Sequence, residues 1–230
     1  MVTPLPTSLL PVKTSARDTV LVTGFDAFGT HAVNPSTLVA QALHQRQIAG
    51  CRVIAAELPT VFGLCLERLD ALLARHQPML VVCLGLAAGC EALRLERVAL
   101  NREDARIPDN QGAQPQDRPV IPGAPAAYLS SLPIDAMARS MAAAGVPVQT
   151  SQNAGTFVCN HLFFGLMHRL ASIPALQGAR GGFIHLPQLP DQGMPHMPFA
   201  QMVHGVRTGI RCALAATTAQ AKTHARRAQR

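Results

Sequence analysis

Residues 51–85, CRVIAAELPTVFGLCLERLDALLARHQPMLVVCLG, decide the fold. CRVIAAELP (51–59) is a short apolar run that reads as a strand. In FGLCLERLDALLARH (62–76), Leu66, Leu69 and Leu73 recur at helical spacing, and PMLVVCLG (78–85) then resumes as a strand apolar on both faces. Strand, helix and buried strand in succession are the parts of a parallel crossover.

The same alternation extends in both directions. Upstream, DTVLVTGF (18–25) reads as a buried strand and NPSTLVAQALHQRQ (34–47) as a helix, with Asn34 as its cap and Pro35 in its first turn. Downstream, EALRLERVALN (91–101) alternates, which predicts a strand with Arg94 and Glu96 on the face opposite Leu93 and Leu95. REDARIPDNQGAQPQDRPVIPGAPAAY (102–128) has no period and reads as one long ordered loop, a kind of segment that usually carries function. A helix ending at Gly145, a strand VPVQTS (146–151), an apolar helix in NAGTFVCNHLFFGLMHRL (153–170), a strand GGFIHLP (181–187) closed by Pro187 and a last helix over 202–220 complete the pattern. The expected architecture is α/β: three layers, α/β/α, with a mostly parallel twisted sheet and helices on both faces. Residues 1–17 are expected to be a flexible extension, 18–218 a single domain and 219–230 a basic tail.

Composition narrows the function classes. No apolar run reaches the roughly 18 residues of a membrane-spanning helix, and the proline-bearing first 17 residues lack the pattern of a secretory signal, so a soluble protein is expected. The six cysteines, at 51, 65, 83, 90, 159 and 212, form no CxxC pair and sit mostly in apolar stretches, as in a reducing, cytoplasmic compartment. The formal charge is +7, but Lys222, Arg226, Arg227 and Arg230 crowd the last nine residues. With one tyrosine, no tryptophan and no basic stripe, neither a nucleic-acid nor a membrane partner is expected. No metal-ligand spacing is present, and GLAAGC (85–90) completes neither a P-loop nor GxGxxG.

In open α/β sheets, sites gather at the carboxyl ends of strands. That directs attention to the loops GFDAFGTHAVN, GLAAGC, SQNAGT and HLPQLPDQ. Cys159 stands near the start of a helix, where the dipole and free N–H groups favour a thiolate and an oxyanion, although helix cysteines more often simply pack. A base is needed. His161 lies about 200° around the helix, and His168 about 180° around and roughly 13 Å along it, so neither reaches the thiol. His185, at the end of its strand, is the leading candidate, with His31 in reserve. Glu96 could orient the histidine, or could instead pair with Arg94 or Arg97 in a structural salt bridge.

Seven stretches, VLVTGFDAFGTHAVNPS, LPTVFG, LGLAAGCEALRLERVALNREDARIPDNQG, IPGAPAAY, LPI, NAGTFVCNHLFFGLMH and GFIHLPQLPDQ, together resemble the pyroglutamyl-peptidase I family of cysteine peptidases, in the family's order and over residues 20 to about 192. The resemblance implies an α/β/α exopeptidase that removes an amino-terminal pyroglutamyl residue from peptides through a thioester. It uses a Glu, Cys and His triad, needs no metal or cofactor, and often forms homo-oligomers, tetramers or dimers. It assigns the triad to Glu96, Cys159 and His185. Phe25 and Phe28 correspond to the residues holding the flat lactam ring, with Asn34 and the backbone of Leu86 in the same pocket, and Arg106 lies near the substrate carbonyl. The chain departs from the usual family pattern at Ala27, Thr30, Cys90, Arg94 and Gln188, which bears on the shape of the ring pocket. Two other readings fit the same layout: a nucleoside-phosphorylase-like enzyme, and an inactive relative acting as a binding module.

Overall fold

The computed structural model describes residues 18–29 and 32–228, with side chains through residue 216. The extension 1–17, together with Thr30 and His31, lies outside the described residues. In chain order the elements are β1 (Thr19–Phe25), α1 (Pro35–Leu43), β2 (Gln47–Ile48), β3 (Cys51–Leu58), α2 (Leu64–His76), β4 (Leu80–Leu86), β5 (Leu93–Glu96), β6 (Val98–Leu100), β7 (Ala127–Leu129), α3 (Ile134–Ala143), β8 (Val148–Ser151), α4 (Val158–Ser172), β9 (Arg180–Leu186) and α5 (Phe199–Ala228).

The stretch 51–85 folds as β3, α2 and β4. Leu66, Leu69 and Leu73 are the buried stripe of α2, and Arg75 and His76 in its last turn face the negative end of the helix dipole. Seven strands form one sheet in the order β2-β3-β1-β4-β9-β5-β8. β3, β1, β4 and β9 run parallel, while β5 pairs antiparallel with β9 and parallel with β8. One apolar core joins Leu93, Leu95, Ile184 and Leu186 to α1, α3 and α5; the other joins Leu21, Val81, Cys83 and Phe183 to α2 and α4. The sheet is therefore mostly parallel and sandwiched between two helical layers, as the sequence predicts. Asn34 does cap α1: its Oδ1 accepts from Ser36 N–H at 3.1 Å.

Three boundaries differ from expectation. The strand read over 91–101 is split at Arg97 into β5 and β6: Arg97 N–H still bonds the Ser151 carbonyl of β8, while the Arg97 carbonyl accepts from Ser130 N–H, beyond β7. The end of the expected loop forms β7, which pairs antiparallel with β6, and Tyr128 anchors it through its hydroxyl, 3.0 Å from His168 Nδ1. Helix α5 continues to Ala228 and takes in most of the stretch read as a tail. Alanine, glutamine, lysine and arginine dominate there and all favour helix, with no Gly or Pro to stop it. No helix among the described residues is long and apolar enough to cross a membrane.

Candidate active site

Helix α4 opens at Phe157, whose backbone is extended (φ −98°), and no side chain among the described residues caps it. The first helical bond runs from His161 N–H to the Phe157 carbonyl at 3.0 Å. The N–H groups of Val158, Cys159 and Asn160 are thus left without helical acceptors, at the positive end of the dipole. Cys159 Sγ rests over Gly85 of β4. A Cβ on Gly85 would come within 3.0 Å of that sulfur and 2.7 Å of Phe183 Cζ, so the thiol occupies space that only glycine leaves open.

Gly85 is the β4 neighbour of His185 in the parallel β4–β9 pairing. The imidazole is buried, lies against the Phe183 ring with centroids 4.8 Å apart, and has Nδ1 2.8 Å from Glu96 Oε1. Burial by itself lowers the proton affinity of His185. Hydrogen bonds with Cys159 and Glu96, and the negative charge of both, outweigh it and raise the imidazole to about 9. Glu96, only 1% exposed, has its second oxygen, Oε2, without a partner among the described residues. The structural salt bridge considered for Glu96 does not form: Arg97 pairs with Asp135, and Arg94 makes no ion pair among the described residues.

The other thiols are placed differently. Burial raises Cys51, Cys65, Cys90 and Cys212, and pushes Cys83 up to about 12. The two histidines of α4 are also committed elsewhere. His161 Nε2 accepts from Gly63 N–H at 3.0 Å, which fixes the proton on Nδ1, where it meets Glu103 Oε1. Glu103 Oε2 in turn takes Arg118 Nε at 2.7 Å. This second carboxylate–imidazole pair ties the long loop to α4 and to the start of α2.

Cys159 and His185 line a cleft of about 690 Å³, a size suited to a small ligand. Phe25, Phe28, Asn34, Leu86 and Arg106, all named from the sequence, line it too. Asn34 contributes as a wall rather than as a free amide, since its Nδ2 donates to the Asp26 carbonyl at 3.0 Å and its Oδ1 takes both Ser36 N–H and Ser36 Oγ. Arg106 is exposed and has no ion-pair partner among the described residues. Of the four loops singled out, the first three supply walls, whereas HLPQLPDQ supplies only His185. Phe157, Thr60, Asp104 and Ile107 were missed by sequence reasoning. Phe157 packs on Phe28 with centroids 5.2 Å apart, and its place two residues before Cys159 was the available signal. Of the departures from the family pattern, Ala27 offers its carbonyl to Asn110 at 2.9 Å and Gln188 is buried, while Thr30 is outside the described residues.

A sequence model of the pyroglutamyl peptidase family matches residues 18–216. The chain is 51% identical over 183 residues to a pyrrolidone-carboxylate peptidase of Gloeobacter violaceus, covering 80% of this chain and 88% of that one. It is 48% identical over 201 residues to the corresponding protein of Cupriavidus taiwanensis, covering 85% and 93%. Among solved structures, pyroglutamyl peptidase I of Bacillus amyloliquefaciens superposes with a TM-score of 0.84 at 37% identity, covering 86% of this chain and 98% of that one. The pyrrolidone carboxyl peptidase of Thermococcus litoralis gives 0.85 at 31%, covering 88% and 96%. Matches of this extent, over the residues that build the fold and the cleft, make the chain a member of the pyroglutamyl peptidase family.

Proposed function

We propose that this peptidase hydrolyses the bond following an amino-terminal pyroglutamyl residue, with Cys159 as nucleophile, His185 as base and then acid, and Glu96 as the group that orients the imidazole. The observation that carries the reading is the meeting of Cys159, at an uncapped helix amino terminus, with a histidine backed by a buried carboxylate, in one aromatic-walled cleft. Because Nδ1 faces Glu96, Nε2 is the ring nitrogen left for the thiol. The Cys159 proton moves to Nε2, and the thiolate attacks the pyroglutamyl carbonyl. The oxyanion develops beside the free N–H groups of the first α4 turn, with Arg106 at hand from the long loop. The imidazolium returns the proton to the departing amine, leaving a thioester. His185 then deprotonates water to release pyroglutamate and restore the thiol.

Pyroglutamate has no charged amine, and its ring offers two flat apolar faces with one N–H and one C=O. Phe25, Phe28 and Phe157 suit the faces and the backbone around Leu86 suits the polar edge. Proline lacks the ring carbonyl and would leave its donor unpaired, so the enzyme is expected to release coumarin from pyroglutamyl-coumarin amide and at least about 100-fold more slowly from prolyl-coumarin amide. Equal rates would overturn the assignment. Phosphate dependence with insensitivity to thiol alkylation would favour the phosphorylase-like reading instead, and binding without turnover the inactive one.

Residues 18–218 act as one peptidase domain in this reading, supported by the span of the family match. The six free cysteines support a cytoplasmic location. Leu129 and Met194, 73% and 77% exposed, offer apolar surface for a homo-oligomer, tetramer or dimer, which light scattering of the purified protein tests.

A further inference from the structure

Arg94 lies directly opposite His185 in the antiparallel β5–β9 pairing, and Glu96 follows two residues along on the same strand face. Cross-strand neighbours of this kind stand close enough for side-chain charges to interact. Arg94 Nε and Glu96 Oε2 are both buried without a hydrogen-bond partner, yet the two side chains form no ion pair among the described residues. On the other side, β8 presents Gln149 beside Arg94 and Ser151 beside Glu96, and the Ser151 hydroxyl is engaged with the Asn153 carbonyl. From the remaining elements, α4 brings Cys159, and the β4–β5 connection brings the Cys90 thiol, which senses the charges of both Arg94 and Glu96. Arg97, the next cation along the chain, is committed to Asp135. Arg94 is therefore a cation on the strand face of Glu96 and in register with His185, with an ion pair to neither among the described residues.

Given the roles assigned above to Cys159 and His185, we propose that Arg94 is a positioning residue whose fixed positive charge sets the pH range of the thiolate–imidazolium pair. It favours the thiolate and opposes the imidazolium through space, so it shifts both ionisations to lower pH. It does this without drawing Glu96 away from His185.

The test is the rate of Cys159 alkylation by iodoacetamide as a function of pH, with the Cys159→Ala background subtracted, so that it does not depend on peptidase turnover. Arg94→Met keeps the apolar stem and removes the charge; Arg94→Lys keeps the charge. Both inflections are expected to rise by about half a pH unit in Arg94→Met, to stay in place in Arg94→Lys, and to approach each other between wild type and Arg94→Met as salt is raised. Arg94→Gln serves as the neutral variant if Arg94→Met does not fold. Unmoved inflections in the neutral variant, or an equal shift in Arg94→Lys, would overturn the proposal. Shifted inflections in a protein that never turns over a pyroglutamyl substrate would uphold the role of Arg94 and sink the peptidase reading alone.

Discussion

Glu96 meets His185 along a diagonal of the β5–β9 pairing: Oε1 stands 2.8 Å from Nδ1, while the residue directly opposite the histidine is Arg94. The contact depends on β5 running against β9. Both side chains are almost wholly buried, so the carboxylate has little water to turn to and the imidazole is fixed in one orientation. Replacing Glu96 by Gln keeps the shape but removes the charge that supports the imidazolium. The expected loss is about 10²–10⁴-fold in kcat/KM for pyroglutamyl-coumarin amide, with the binding of free pyroglutamate little changed.

The pH dependence of stability follows from the same pair. An unfolded histidine titrates near about 6.5, whereas His185 in the fold is raised to about 9 by Cys159 and Glu96, against the opposing effect of burial. A raised imidazole binds its proton more tightly in the folded state. Its contribution to stability is therefore fully present below about pH 6.5 and is lost as pH rises through about 9. Urea midpoints of wild type and His185→Ala are expected to differ most at pH 6 and to draw together by pH 9.5. A difference that stays constant across that window would contradict the account.

Gly85 gives a separate handle on thiol placement. In Gly85→Ala the added methyl meets Cys159 Sγ at 3.0 Å and the Phe183 ring at 2.7 Å. The expected outcome is a fall in kcat of about 100-fold, from a displacement of the order of 1 Å. Overpacking should cost only about 1–3 kcal/mol of stability in a chemical melt. Unchanged kcat would show that the sulfur has room to spare.

The Glu103–His161 pair tests the loop that brings Arg106 to the cleft. Glu103→Ala leaves the buried His161 Nδ1–H unpaired and frees Arg118. A destabilisation of about 3 kcal/mol is expected, together with a KM increase larger than any fall in kcat, measured on the same fluorogenic substrate. A fall confined to kcat would place this pair in the chemistry instead.

Much of this was legible in the sequence because periodicity reports burial. Leu66, Leu69 and Leu73 disclosed α2, and the alternation of Leu93, Arg94, Leu95 and Glu96 disclosed which side chains shared a face. Helix geometry removed His161 and His168 from contention, and the structure gives each another partner, Glu103 and Tyr128. What stayed hidden were relations between distant segments. The antiparallel course of β5 decides that Glu96 meets His185, and no local pattern encodes it. The pairing of β7 with β6 was masked by the prolines and glycines before it. Gly85 carries no sign of the sulfur packed over it, and a lone glycine at the end of an apolar strand is consistent with a plain turn.

The most direct test of the central claim compares two cysteines near the same cleft. Cys159→Ala is expected to abolish coumarin release from pyroglutamyl-coumarin amide, while Cys90→Ala, whose thiol donates to the Ala87 carbonyl at 2.9 Å and does not line the cleft, retains turnover. Loss of activity in both variants, or in neither, would contradict the account.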